Sequence, residues 1–403
     1  MQIDHHQAHL TYCSNIHPGE SWEATYSNLK NHTTKVRRQL GASQFGIGLR
    51  LSDAASKDLT EEGTLDQFKN WLDNEGLYVF TINGFPFGGF HHQVVKDKVH
   101  LPDWTAPERL AYTKRLFGIL SQLLPEGMDG GVSTSPLSYK FWHDERQREA
   151  VKKSATDNLM QVVIQLDTIY QQTGKLLHLD IEPEPDGILE TSSEFVIFYR
   201  DYLLKQGVNY LTVKAGFNNS RAEEAIRRHI QLCYDVCHFA VGYENAADVL
   251  LTVAEAGIEI GRIQISAAMS SGPIDNDASR SEIIGELKQF DEPVYLHQAV
   301  LRTAAGALHR FPDLSPALAA WSHDGPSELR THFHVPVFTR DYGKLISTQS
   351  DIMEVLSLWK QNNFTNHLEV ETYTWDVLPP AMRSDIVESI VRELRWVLNA
   401  LDA

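Results

Sequence analysis

Three apolar runs of this chain end in carboxylates: "KLLHLDIEPEPDG" at 175–187, "LCYDVCHFAV" at 232–241 and "NHLEVETYTWDV" at 366–377. In the first, period-two alternation puts His178, Asp180 and Glu182 on one strand face and Leu177, Leu179 and Ile181 on the other. Pro183 stops that strand and leaves Glu182 at its end, while Glu184 reads as a solvated loop residue. In the third run Glu369 and Glu371 share a face, with Glu371 nearer the end, and the middle run pairs Asp235 with His238. Burying several carboxylates together is costly unless a cation compensates them. A divalent metal site is one solution; ion pairing with Arg50, Arg262 or Arg302 is the other.

Further polar positions extend the set. "RIQIS" carries Gln264 and Ser266 on one face, the amide oxygen being either a weak neutral ligand or a hydrogen-bonding core group. "THFHV" brings His332 and His334 together, a pair that binds metal in some proteins and packs without it in others. "YCSNIHPGESW" holds Asn15, His17 and Glu20 just past the first apolar run, where a helix start can receive an anion, although Pro18-Gly19 also reads as a plain turn. "NGFPFGGFHHQ" supplies Phe85, Phe87, Phe90, His91 and His92, an aromatic loop suited to cover a mouth or to pack on helices; it does not match a P-loop or a dinucleotide fingerprint. "STSPLSYK" offers Lys140 for a phosphate or carboxylate substituent. Cys13, Cys233 and Cys237 lack the spacing of a disulfide framework or a thiolate zinc site and read as reduced, buried thiols.

Residues at the ends of separate strands need a fold that gathers those ends. The runs "AHLTYCSNI", "FGIGLRLS", "LYVFTINGF", "DGGVSTSPLSY", "KLLHLDIEP", "LCYDVCHFAV", "IGRIQISAAM" and "NHLEVETYTW" alternate with helical patterns, the longest at about 146–173. This order predicts an α/β protein, a (β/α)8 TIM barrel, in which strand ends converge on one mouth. Region 272–347 breaks the rhythm and is expected as an insertion between strands seven and eight of a single domain spanning 1–403. With Trp321 and its histidines, that insertion either shapes the pocket or meets a protein partner.

A formal net charge of -17 over 403 residues argues against a main task of neutralising nucleic-acid phosphates. The first residues, "MQIDHHQAHLTYCSN", lack a basic segment followed by a long apolar one, and no stretch is long and apolar enough to insert in a membrane. A cytoplasmic location is expected.

The strand-end residues resemble the metal site of the xylose-isomerase-like TIM barrels, whose pattern uses a Glu ending one strand, an Asp-x-x-His on the next, a His or Gln on the seventh and a Glu on the eighth. The resemblance implies metal ligation by Glu182, Asp235, Gln264 and Glu371, with His334 a further candidate. It implies acid-base roles for Glu182 and Glu371; by their positions at strand ends and in the loops that follow, His238, Asn15, His17, Lys140, Phe85, Phe87 and His332 are expected as substrate contacts. One divalent cation is implied: mostly oxygen donors favour Mn²⁺ or Mg²⁺, and a His among the ligands shifts preference toward Zn²⁺ or Fe²⁺. At closer range, "LTYCSNIHPGESW", "DIEPEPDG", "YDVCHFAVGYE" and "LEVETYTW" look like the EboE family of metabolite-traffic proteins, over nearly the whole chain. That family is associated with exporting or processing secondary-metabolite precursors, which implies a small polar metabolite as ligand and other proteins of the pathway as partners.

The leading expectation is therefore a metal-dependent isomerase or epimerase of a hydroxy-carbonyl metabolite. The alternative is a non-catalytic carrier or scaffold. An AP-endonuclease-like metal hydrolase comes third, because those nucleases use additional histidines where this chain has "STSPLSYK", and an acidic-x-His pair where it has His332-x-His334.

Overall fold

Alternation of short β-rich runs with amphipathic helices resolves into strands that each begin where a helix has returned the chain to the same end of a sheet. The computed structural model describes residues 1–3, 7–89, 91, 93–274, 276–321, 327–378 and 385–402. The strands are β1 (His9–Tyr12), β2 (Phe45–Arg50), β3 (Leu77–Asn83), β4 (Gly130–Thr134), β5 (Leu177–Ile181), β6 (Ile230–Asp235) and β7 (Ile260–Ile265). They are followed by β8 (Ala267–Ser270), β9 (Ala299–Thr303), β10 (Leu308–Phe311), β11 (Ser327–Val335), β12 (Asp341–Tyr342), β13 (Leu345–Ser347) and β14 (His367–Val370).

Eight of them form one parallel sheet in the order β1-β14-β7-β6-β5-β4-β3-β2. The sheet closes because Cys13 bridges to Gly48 in parallel, and the Thr11 hydroxyl donates to the Gly46 carbonyl at 2.7 Å and accepts from the Gly48 amide at 3.0 Å. The result is the expected (β/α)8 barrel, with strands at all eight predicted positions. Its helices start on identifiable caps: Asp144 and Gln147 form a capping box at the head of Glu145–Thr173, and Thr191 and Glu194 form another at Ser192–Phe198. Among the described residues no helix is long and apolar enough to cross a membrane.

Two strand expectations need correction. "LCYDVCHFAV" is not one strand: β6 ends at Asp235, and Val236–Val241 is a short helix capped by that residue, whose Oδ1 accepts from the His238 amide at 3.1 Å. "IGRIQISAAM" divides at Ser266, β7 staying in the barrel while β8 enters a second sheet. That sheet is antiparallel, six strands in the order β10-β9-β11-β8-β13-β12, and five of the six lie in the region expected as an insertion. Trp321, expected as a possible partner contact, is fully buried in the common apolar core, with its indole N–H donated to the Ser327 hydroxyl at 2.7 Å.

Inside the barrel, β5 and β14 carry the same inward sequence of types, His178-Asp180-Glu182 and His367-Glu369-Glu371. The pattern stacks three polar layers: a floor, a middle and a mouth. The middle layer is held by Arg262 of β7, fully buried, which donates to Asp180 at 3.0 Å and to Glu369 at 2.9 Å. Gly261 and Gly131 make room for it, since a Cβ on Gly261 would stand 1.9 Å from Asp180 Oδ1 and one on Gly131 2.6 Å from Asp180 Oδ2. Removing one partner of a buried ion pair strands the others without compensation. Arg262→Ala is expected to lower unfolding free energy by about 3–5 kcal/mol, read from urea denaturation monitored by circular dichroism; a loss below about 1 kcal/mol would mean that the two carboxyls are held neutral.

Candidate metal centre at the barrel mouth

The mouth layer gathers side chains from five elements. Glu182 follows β5, Asp235 ends β6, Glu371 follows β14, His238 lies on the helix after β6, and His332 and His334 come from β11 of the second sheet. The register of β11 against β8 shifts between Thr331 and Val335, the stretch that carries both histidines. All six residues are buried.

Oxygen atoms of Glu182, Asp235 and Glu371 lie within 4.8 Å of one another, as do ligand atoms of Asp235, His238 and His334. Glu371 is fixed by amides: Asn15 Nδ2 donates at 2.7 Å, Asn83 Nδ2 at 3.0 Å and Gln264 Nε2 at 3.0 Å. Asp235 Oδ1 is engaged by the Ser266 hydroxyl at 2.7 Å, whereas Asp235 Oδ2 and Glu182 Oε2 receive no hydrogen bond. Burial and the neighbouring carboxylates push Glu182 and Glu371 well above the usual range, and burial raises Asp235. Three carboxyls thus occupy a volume where they cannot all ionise without a cation.

The histidines point to the same conclusion through their tautomers. His238 Nδ1 lies 3.0 Å from the Pro183 carbonyl, His334 Nδ1 3.1 Å from the Glu371 carbonyl, and His332 Nδ1 2.8 Å from Gln298 Oε1. Each contact is to an acceptor, so each Nδ1 carries the proton and each Nε2 presents a lone pair. Yet Nε2 of His332 lies 3.2 Å from Nε2 of His238 and 3.2 Å from Nε2 of His334. The Tyr373 hydroxyl, 3.2 Å from His332 Nε2, brings one proton to three lone pairs. Protonating the rings is opposed by desolvation, which pushes His238 down to about 3, His334 to about 4 and His332 well below its ordinary value. A metal ion satisfies the orphaned Asp235 and Glu182 oxygens and the convergent Nε2 atoms together, so the donor set fits a bound cation.

Some sequence candidates stand elsewhere. Lys140 does not line the cavity at the mouth and is ion-paired with Glu190; the lysine of that cavity is Lys96, 2.6 Å from Asp313. His17 lies apart, hydrogen-bonded to Tyr12 at 3.1 Å and stacked on His32. Phe85 lines the cavity, but Phe87 packs on Tyr112 and beside Arg109 instead. Phe90 and His92 lie outside the described residues. Gln264 touches Glu371 through its amide nitrogen, while its oxygen accepts from the Cys233 thiol at 2.9 Å. The alternative cations are spoken for: Arg50 pairs with Glu20 and Arg302 with Glu328, neither at the mouth.

Sequence reasoning missed Asn83, Tyr373, His100, Gln298 and the importance of Glu184. Glu184 is buried, 3.6 Å from His100 and 3.8 Å from His332, and burial beside Asp186 and Asp235 pushes it up to about 8. The repeated Glu-Pro of "EPEP" was the available signal, since it holds Glu184 in the same extended segment as Glu182. Over the cavity, the loop after β3 meets the segment before β9: the Val95 amide donates to the Val294 carbonyl at 2.7 Å, and Val95 and Tyr295 pack with Val99 and Tyr373.

Fold and site together define a (β/α)8 barrel with a buried carboxylate and histidine cluster at its mouth that could hold a metal ion. No family model and no curated protein matches the chain. Solved structures similar to it include an L-ribulose 3-epimerase (TM-score 0.49, 10% identity, 98% of this chain and 95% of that one) and a D-tagatose 3-epimerase-like protein (TM-score 0.48, 9% identity, 98% of each chain). Another is an IOLI protein described with a binding zinc atom (TM-score 0.46, 14% identity, 98% of each chain). The barrel assignment rests on this chain's own strand order and register.

Carboxyls raised in the folded state, such as Glu184 at about 8, favour the folded metal-free chain below their unfolded values near 4.5 and cease to do so as pH rises through the folded value. Histidines lowered to about 3 or 4 act oppositely, their contribution being present above about 6.5 and lost as pH falls. A cation that replaces protons on the carboxyls reverses the alkaline loss. The rise in Tm on adding Mn²⁺ or Zn²⁺ to chelator-treated protein is therefore expected to be larger at pH 8 than at pH 5.5. Differential scanning fluorimetry checks this, and an equal rise at both would contradict the carboxylate assignment.

Proposed function

We propose that the chain is a metal-dependent isomerase or epimerase of the xylose-isomerase-like superfamily, acting on a small polar hydroxy-carbonyl compound. Within that superfamily we read it as an EboE-type metabolite-traffic protein, cytoplasmic, with its three cysteines buried and free. The observation that carries the reading is the pair Glu182 and Glu371, two carboxyls raised by burial that line one cavity and meet Asp235 behind its wall.

Glu182, Asp235 and Glu371 would hold the cation, with His334 as a nitrogen donor and Gln264 orienting Glu371 through its amide. Such a cation supplies Lewis-acid polarisation of a carbonyl oxygen. Three carboxylates favour Mn²⁺ or Mg²⁺, and each added imidazole moves the preference toward Zn²⁺. Glu182, with one oxygen free of hydrogen bonds, removes the proton from the carbon beside the carbonyl. Glu371, held by three amides, returns a proton from the other side. Phe85, Val95, Val99 and Tyr373 exclude water from the reacting carbon, and Lys96 meets a polar substituent at the cavity edge.

A metal-dependent hydrolase of small phosphate esters is a second reading, favoured by the three Nε2 atoms, which could hold another cation beside Asp235. The two readings separate in one experiment. Mn²⁺-loaded protein is incubated in D2O with a panel of ketoses, hydroxy-ketones and their phosphates, and substrate deuterium and released phosphate are both measured. Deuterium incorporation that falls by about 10²-fold or more in Glu182→Gln, with substrate still bound, is the expected result. Phosphate release without exchange would favour the hydrolase, and binding with neither would leave a carrier.

A further inference from the structure

The opposite end of the barrel holds a second convergence of ligand atoms that the mouth chemistry does not use. Asp129, just before β4, His178 of β5 and His367 of β14 present atoms within 4.8 Å of one another on the floor layer. Asp129 Oδ2 lies 3.6 Å from His178 Nε2 and 3.5 Å from His367 Nε2. These separations are long for N–H···O hydrogen bonds, which run about 2.7–3.2 Å. They suit atoms sharing one cation, since ligands about 2.0–2.2 Å from a tetrahedral zinc stand roughly 3.3–3.5 Å apart.

Three independent features fit. Both histidines are 1% exposed, and His178 Nε2 and both ring nitrogens of His367 have no hydrogen-bond partner, an expensive state for buried imidazoles. His178 Nδ1 lies 2.5 Å from Asp180 Oδ1, so a carboxylate orients that ring and directs Nε2 at Asp129, the outer-shell arrangement typical of zinc-bound histidine. Asn366 Nδ2 likewise donates to the far oxygen of Asp129 at 3.2 Å. Charge agrees in sign: Asp129 and Asp180 flank His178, and Asp180 shares the single guanidinium of Arg262 with Glu369. An approach exists, because Asp129 is 23% exposed and lines a surface depression with Glu126, Met128, Lys175 and Asn366.

The geometry points to a zinc site on the barrel floor, formed by Asp129, His178 and His367 with a fourth position open to solvent. Two imidazoles and one carboxylate suit Zn²⁺ over Mg²⁺ or Ca²⁺. The site ties β14 to β5 and to the lead-in of β4. It is separate from the mouth: His178 and Glu182, like His367 and Glu371, are four residues apart on their strands, about 13 Å, with the Arg262 layer between.

The test is a crystal of metal-stripped full-length protein grown with Zn²⁺, with anomalous difference maps collected on both sides of the zinc edge. The expected result is a peak among Asp129, His178 and His367 that disappears in His367→Gln and in the more exposed Asp129→Asn. It should persist in Asp235→Asn, so failure of the mouth assignment leaves this result readable. In solution, the two floor variants should each bind one Zn²⁺ fewer per chain than wild type by equilibrium dialysis. A floor without density at millimolar Zn²⁺, or unchanged stoichiometry in both floor variants, would overturn the assignment and leave a proton-bridged imidazole and carboxylate cluster.

Discussion

Arg262 is the residue on which the interior depends. A barrel of eight parallel strands is normally filled by layers of branched apolar side chains, but here the middle layer is a guanidinium clasped by Asp180 and Glu369. That choice constrains everything above and below. The glycines at 131 and 261 are small because the ion pair needs their space, and the residues two positions along β5 and β14 are polar because the strand period keeps them on the same face. Buried charge of this kind adds little net stability over a good apolar core, so its presence points to specificity of arrangement. The strands must align so that three groups from β5, β7 and β14 meet.

At the mouth, the chain has assembled more acceptors than donors. Carboxylate oxygens and imidazole lone pairs face one another, and the polar groups behind them, Asn15, Asn83, Gln264, Ser266 and Gln298, are spent on holding orientation. The backbone takes part as well: the carbonyls of Pro183 and Glu371 set the tautomers of His238 and His334. Asp235 does two jobs, one oxygen capping the helix that carries His238 and the other turned to the cluster. The aim of that helix and the position of one oxygen of the cluster are therefore set by a single side chain.

The barrel was legible in the sequence because each strand is bounded by breakers and each carboxylate sits where alternation and a terminating residue locate it, as at Glu182 before Pro183. Local pattern failed where a second role overrode it. "DVCHFAV" is apolar enough for a strand, yet an N-cap at Asp235 starts a helix. Lys140 looked well placed by its strand, but pairing across fifty positions to Glu190 ties it down, and Lys96, in a loop without periodicity, reaches the cavity instead. His332 and His334 are visible as a pair; that the second sheet lays both against the mouth is not, because the pairing of β11 with β8 is tertiary. Glu184 reads as solvated from its neighbours alone, whereas His332 lies 3.8 Å from it and Gln298 bonds to the adjacent Pro185 carbonyl.

The position of β14 has a consequence for how the molecule is made. This strand, at His367–Val370, lies between β1 and β7 and brings Glu369 and Glu371 with it. Until a ribosome has delivered it, the sheet has two open edges, Arg262 has one of its two carboxylates, and the cluster lacks its last arm. Domains generally gather as units during synthesis, and long-range parallel pairing is slow and exposed to aggregation. A nascent chain here must carry an unsealed, partly charged interior from Arg262 until β14 follows it, across the whole of the second sheet.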